Sequence, residues 1–259
     1  MTRLLSLAAG VHPTLPPARM VEVAAAAGWP ACGIWFDGAT WTDSITREVK
    51  KRLDDTGIVA LDIEPIIPAD GADDHAERLV EAAATIGARN ILFTSRVKDQ
   101  AFNTQRFGEC CDFAAPHGIT VVCEFLPIFP LNTLGMAAEI VRDAGRANSG
   151  ILIDNLHFSR SGATFEQLAG LDRSLFPYIQ IADAPAAVPQ GFEALLDDAI
   201  NGRQCPGEGG LPIAEMCAAI PNVPISFEVR SKALREGFND DVERARHLLS
   251  FCRPLADAN

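Results

Sequence analysis

The chain has 259 residues, 48% of them hydrophobic, and its 22 Lys and Arg against 34 Asp and Glu leave a formal net charge of −12. A chain this acidic lacks the clustered cations that phosphate backbones and anionic membrane surfaces demand, so nucleic acid and membranes are set aside as partners and a small molecule is expected. No apolar run approaches the ~18 residues of a membrane span, and the N-terminal MTRLLSLAAGVHPTLPP lacks the long apolar segment of a signal peptide, so a cytoplasmic location is expected.

Seven cysteines are an odd number, scattered through apolar runs with no CxxC pair. They read as reduced core thiols and argue against a thiolate zinc site. The length suits two small domains or one α/β barrel of about 250 residues. Nothing reads as a linker, so residues 1–259 are expected to form one domain.

In chain order, a first strand is expected over Leu4–Val11, ending at His12, and Pro16-Pro17 opens a helix to Ala27 that Gly28 stops. CGIWFD (32–37) is a second strand. Thr42 or Asp43 can cap the helix of SITREVKKRLDDTG, which Gly57 ends before the strand IVALDIEP. The breaker-rich ADGADD, a helix over 73–86, Gly87 and the strand NILFTS follow; a helix over 104–115 and Gly118 precede ITVVCEF. AAAAGWPACGIWF, AAATIGARNILFT, CDFAAPHGITVVCEF and VRDAGRANSGILID share one grammar: an apolar-faced helix, a stopping glycine, a short spacer and a β-rich run. Parallel neighbours need such crossovers.

Eight strand ends, near His12, Asp37, Glu64, Ser95, Glu124, Asp154, Asp183 and Glu228, predict an α/β fold, the (β/α)8 TIM barrel. A doubly wound open sheet is the alternative, and the lack of a G-x-G-x-x-G argues against its dinucleotide-binding form. The long AAVPQGFEALLDDAINGRQCPGEGGLPIAEMCAAIPN between the last two ends is where function is expected to concentrate. A helix over about Asp240 to Cys252 closes the chain, with RPLADAN as a loose tail.

In ILIDNLHFSRSG (151–162), a buried strand releases Asp154 into a loop, and a histidine follows three residues later. Alone, Asp154 reads equally as a turn cap. Yet Glu124 in VVCEF, Gln180 in YIQIAD and Glu228 in ISFEV also end apolar runs, on a barrel face where side chains converge. Charges in such surroundings need neutralising. Either arginines do so, with Arg160, Arg203 and Arg230 the candidates, or a cation does. The cation is preferred, because three carboxylates and one amide make a hard-oxygen set that suits Mg2+ or Mn2+ better than zinc.

The order Glu, Asp-x-x-His, Q-x-x-Asp, P-G-E-G and a final Glu resembles the xylose isomerase-like TIM-barrel superfamily of sugar-phosphate isomerases and epimerases. DNLH (154–157), QIADAP (180–185), GRQCPGEG (202–209) and FEV (227–229) carry the likeness; the first half matches only in architecture. The resemblance implies Glu124, Asp154, Gln180 and Glu228 as metal ligands, His157 facing the substrate, and Arg203 touching the substrate's oxygens or carboxylate. Many members have His where this chain has Gln180, whereas hydroxypyruvate isomerase-like and 3-dehydroshikimate dehydratase-like members resemble it in using Gln. The endonuclease branch needs a histidine-rich trinuclear zinc site, which five histidines in an acidic chain do not supply.

Of the other candidates, Glu64 points to the same mouth or pairs with Arg96. Trp35, Phe36 and Trp41 wall the pocket or pack in the core, and His12 is a candidate pocket residue. Glycines 207, 209 and 210 let backbone approach a ligand, a weak phosphate signal without a following Lys.

The expected activity is isomerisation or epimerisation of a small hydroxy-ketone or keto-sugar in carbohydrate metabolism. Glu124 and Glu228 would pass the α-proton through a metal-held enediolate while His157 steadies an oxygen. The alternatives are a dehydratase (lyase) of a 3-dehydroshikimate-like keto acid, in which His157 assists loss of hydroxide, and a non-catalytic sugar-binding barrel. Family analogy adds a homodimer.

Overall fold

In the computed structural model, which describes residues 2–257, the strands β1 (Leu5–Leu7), β2 (Ala31–Trp35), β3 (Val59–Ile66), β4 (Asn90–Phe93), β5 (Thr120–Glu124), β6 (Ser149–Asp154), β7 (Ile179–Ile181) and β8 (Ile225–Phe227) pair in parallel, each with the next. β8 returns to β1, with Leu5, Ser6 and Leu7 beside Ile225, Ser226 and Phe227, so the sheet closes. Around it lie α1 (Pro17–Ala27), α2 (Asp43–Thr56), α3 (Ala76–Ile86), α4 (Gln100–Ala114) and α5 (Leu134–Ala144), one after each of the first five strands. Short α6 (Asn155–Arg160) and α7 (Phe165–Ala169) follow β6, α8 (Phe192–Ile200) and α9 (Ile213–Ala219) follow β7, and α10 (Lys232–Gly237) and α11 (Asp241–Cys252) end the ring. This is the expected (β/α)8 architecture.

Local chemistry sets the helix limits. Thr42 caps α2 by accepting from the Ile45 N–H, and Gly57 ends it in the left-handed region at φ 71°. α4 starts four residues earlier than expected because the Asp99 carboxylate caps Ala101 and Phe102; α3 starts three residues later, at Ala76. β1 ends at Leu7, and a 3-10 turn over Ala9–Val11 separates it from His12. The expected loose tail is anchored in part: Arg253–Asp257 form a 3-10 helix, and Arg3 N–H donates to the Ala256 carbonyl at 2.8 Å. The last two residues of that tail lie outside the described residues.

The larger apolar core fills the space between strands and helices; a smaller one of Ala31, Leu61, Leu92, Val122, Leu152 and Tyr178 fills the barrel itself. All seven cysteines are free and buried, as expected of core thiols. No helix among the described residues is long and apolar enough to cross a membrane.

Candidate metal centre

Residues two apart on a strand share a face, and the last four strands use that spacing alike. Val122, Leu152, Tyr178 and Ser226 plug the barrel; Glu124, Asp154, Gln180 and Glu228 stand two residues further on, at its C-terminal mouth. β3 reaches the same place by a bulge. Its register against β2 slips between Cys32 and Gly33, so that Leu61 still packs in the barrel plug while Asp62 and then Glu64 face the interior.

Asp154 is both a cap and a charged partner. Its Oδ1 accepts from the His157 N–H at 3.0 Å, starting α6, and its Oδ2 accepts from Arg203 Nη1 at 2.6 Å. Arg203, 2% exposed, has five N–H groups and five acceptors. Nε donates to the Ala199 carbonyl, Nη1 to Asp154 and the Glu228 carbonyl, and Nη2 lies 3.2 Å from Glu228 Oε2 and 3.3 Å from His157 Nε2. A guanidinium cannot accept, so His157 Nε2 must be the acceptor and its proton sits on Nδ1. Burial lowers the His157 pKa to about 4, and the neighbouring Arg203 helps. The imidazole is therefore neutral near pH 7, accepting at Nε2 and able to donate at Nδ1. It does not titrate near neutrality, as an ordinary histidine would.

The carboxylates divide by partner. Burial pushes Asp154 up, but Arg203 and His157 outweigh it and hold the group below the ordinary value. Glu228, farther from Arg203, stays raised by burial. Glu124 is driven well above the ordinary value by burial, then by Glu228 and Asp154; Glu64 is driven likewise by burial, Asp62 and Glu228. Asp62, fully buried and 3.5 Å from the Tyr178 hydroxyl, is raised to about 7.

Both polar atoms of the buried Gln180 amide lack a hydrogen-bond partner, as does Glu64 Oε1. An unpartnered amide beside raised carboxylates is costly unless a further positive group completes it. One atom each from Glu124, Asp154 and His157 lies within 4.8 Å of the others, a spacing that can hold an ion. Arg203 thus satisfies part of the expected ligand set, Asp154 and Glu228, and leaves Glu124 and Gln180 unanswered. The residues fit a divalent cation.

A cavity of about 210 Å3 opens over this centre, lined by Trp35, Glu64, Glu124, His157, Arg203 and Glu228 among others. Asp154 and Gln180 lie beneath it. Larger hollows lie elsewhere, one of about 500 Å3 at the opposite end of the barrel, but none of its lining side chains belongs to the acidic cluster. Of the aromatic candidates, Trp35 lines the cavity, while Phe36 and Trp41 stack on each other at 4.8 Å in the core. Arg96 lies over the Phe129 ring and makes no ion pair with Glu64. His12 is turned away from the cavity, to Asp241 at 3.2 Å and Arg244 at 3.1 Å. Arg160 pairs with Asp198, tying α6 to α8.

The glycine-rich turn serves the fold. Asp183 accepts from the Gly207, Gly209 and Leu211 N–H groups, so those amides are not free for a phosphate. A Cβ at Gly209 would sit 2.4 Å from the Ala184 carbonyl oxygen. Gly10 was not foreseen: a Cβ there would lie 2.5 Å from Glu228 Oε1, so only glycine lets that carboxylate keep its place.

Residues 21–255 match the xylose isomerase-like TIM barrel family. The chain belongs to this family. It is 26% identical over 167 residues to an inosose isomerase of Bacillus subtilis, covering 61% of this chain and 58% of that protein. It is 25% identical over 240 residues to a 3-dehydroshikimate dehydratase of Pseudomonas aeruginosa, covering 86% of this chain and 37% of that protein. The chain thus spans well under two thirds of the length of these curated relatives. Among solved structures, the IolI protein with a bound zinc atom superposes at a TM-score of 0.84 with 18% identity, over 99% of this chain and 98% of that one. That likeness is one of fold.

Proposed function

We propose that this protein is a divalent-metal-dependent enzyme that isomerises or epimerises a small hydroxy-ketone by moving the proton on the carbon beside the carbonyl. The observation that carries the reading is the buried, unpartnered Gln180 amide set among Glu124, Asp154 and Glu228, beneath a cavity of substrate size. Glu124, Asp154, Gln180 and Glu228 would hold the ion, with His157, whose Nε2 accepts from Arg203, beside Glu124 and Asp154 as a hydrogen-bonding neighbour. The three carboxylates and amide favour Mg2+ or Mn2+. Bound there, the ion supplies positive charge that polarises a substrate carbonyl and acidifies the adjacent C–H.

The chain's own groups do the rest. Burial raises Glu124 and Glu228 above the ordinary carboxylate value, which favours their taking up a proton from the substrate carbon and returning it. Neutral His157 steadies a substrate oxygen. Arg203 orients Asp154, Glu228 and His157, and Trp35 and apolar side chains wall the cavity.

A second reading, loss of hydroxide from a keto acid, is favoured by the dehydratase relative's match over 86% of the chain. Turnover in D2O with the loaded protein tests both. Deuterium at the α-carbon of a recovered ketone supports isomerisation, a conjugated chromophore supports elimination, and no exchange with any hydroxy-ketone contradicts both.

A further inference from the structure

We infer that the cavity holds a subsite for an anionic substrate group, a carboxylate recognised by Arg230 with Arg96 as its companion. The inference rests on the reading of the barrel mouth as the reaction site. Arg203, which the family likeness would assign to the substrate's carboxylate, has all five N–H groups engaged by protein acceptors. Arg160 is held by Asp198 and the Pro185 carbonyl. Two guanidiniums that line the cavity, Arg96 and Arg230, form no ion pair within 4 Å among the described residues.

Arg230 is half-buried, its Nε is shielded from solvent without a hydrogen-bond partner, and among the described residues it makes no ion pair within 4 Å; its charge reaches Glu228 and Glu64 only from a longer distance, where it offsets part of their rise. Its stem runs beside Gly10, where an added Cβ would meet Arg230 Cδ at 3.0 Å and Glu228 Oε1 at 2.5 Å. The stem therefore passes close to Glu228, one of the proposed reacting groups. Arg96 lies over Phe129 at 5.0 Å, which leaves the edge of its guanidinium available.

An arginine that keeps its Nε buried and unbonded and forms no close ion pair, in a chain of net charge −12 with a cluster of acids at hand, is informative. The planar fork matches a carboxylate, and desolvation by the cavity strengthens the contact. A phosphate is disfavoured, because the turn amides that could cradle one are occupied by Asp183. The remaining walls, with Pro65, Ile67, Leu126 and Ile128, suit a carbon ring.

Metal-loaded wild type, Arg230→Gln and Arg230→Lys are titrated calorimetrically with 3-dehydroshikimate, with a neutral inosose of the same ring size, and with inorganic phosphate as competitor. Metal uptake is measured separately on each protein. The expected result is tighter binding of the acid by wild type, an acid-to-neutral affinity ratio that falls about 10- to 100-fold in Arg230→Gln with partial rescue in Arg230→Lys, and little displacement by phosphate. An unchanged ratio in Arg230→Gln overturns the subsite while leaving the reaction reading intact. Displacement of the acid by micromolar phosphate overturns the carboxylate assignment. Failure of metal-loaded wild type to bind the acid overturns the subsite, while the reaction reading is decided separately by the D2O exchange experiment.

Discussion

Arg203→Met removes the cation that contacts Asp154 and Glu228 directly while nearly preserving volume. The wild-type guanidinium lies 2.6 Å from Asp154 and 3.2 Å from Glu228, whose side chains are 0% and 11% exposed. At an effective dielectric of 20, each contact carries roughly 5 kcal/mol of Coulombic attraction before desolvation is subtracted. Breaking a buried pair by deleting one partner has a net cost of about 3–5 kcal/mol. For a chain of this length that lowers Tm by roughly 6–20 °C. The assay is thermal unfolding with and without a divalent ion. In chelator, the variant should melt well below wild type. On adding Mn2+ it should gain more than wild type, because an ion that takes over Asp154 and Glu228 no longer competes with the guanidinium. A variant as stable as wild type in chelator, or one whose Mn2+ shift is smaller than that of wild type, would refute the assignment of these carboxylates to a cation site.

Other expectations follow from single contacts. Gly10→Ala displaces Glu228 Oε1 and should cut turnover at least 10-fold with Tm lowered by only a few degrees; unchanged kcat and metal affinity would show that Glu228 tolerates displacement. Asp62 has a folded pKa of about 7 against an ordinary 3.8, so its contribution to stability is intact below the ordinary value and is lost as pH rises through about 7. Asp62→Asn in chelator should therefore be more stable than wild type at pH 8 by roughly 2–4 kcal/mol and lose that advantage toward pH 4, with denaturant unfolding at both pH values as the check. Glu228→Gln should abolish proton exchange with solvent, and full activity would sink the proton-transfer role. With His157 lowered to about 4, the pH–rate profile should show no histidine inflection between pH 6 and 7; a step there that vanishes in His157→Gln would contradict the neutral tautomer.

The barrel was legible because its grammar is local. Gly57 stops α2 in the left-handed region, Thr42 caps it, and each following apolar run has nowhere to go but a parallel sheet. Glu124, Asp154, Gln180 and Glu228 were readable for the same reason: each stands two residues beyond a barrel-filling position on its strand. Other strand-end polar groups had the same sequence appearance and different uses. Asp37 closes its own turn on Ala39 and Thr40, Ser95 donates to Asn103, and Asp183 secures the 207–211 turn. Their partners are set by loop paths that periodicity does not encode.

The involvement of Asp62 was hidden by a bulge, which changes strand parity without a signature in ALDIEP. The saturation of Arg203 depends on groups 4 to 49 residues away in sequence. Gly10 is visible only once β1 and the residues after β8 lie side by side. Each of these is a three-dimensional coincidence of elements that are separately ordinary in sequence.

The most direct test is calorimetric titration of Mn2+ into chelator-treated wild type alongside Gln180→Leu, a variant that removes the unpartnered amide and spares every carboxylate. One equivalent bound by wild type, with affinity at least 10-fold weaker in Gln180→Leu, is the expected result. No uptake by wild type, or equal affinity in the two proteins, would contradict a metal centre built on Gln180 and its carboxylate neighbours.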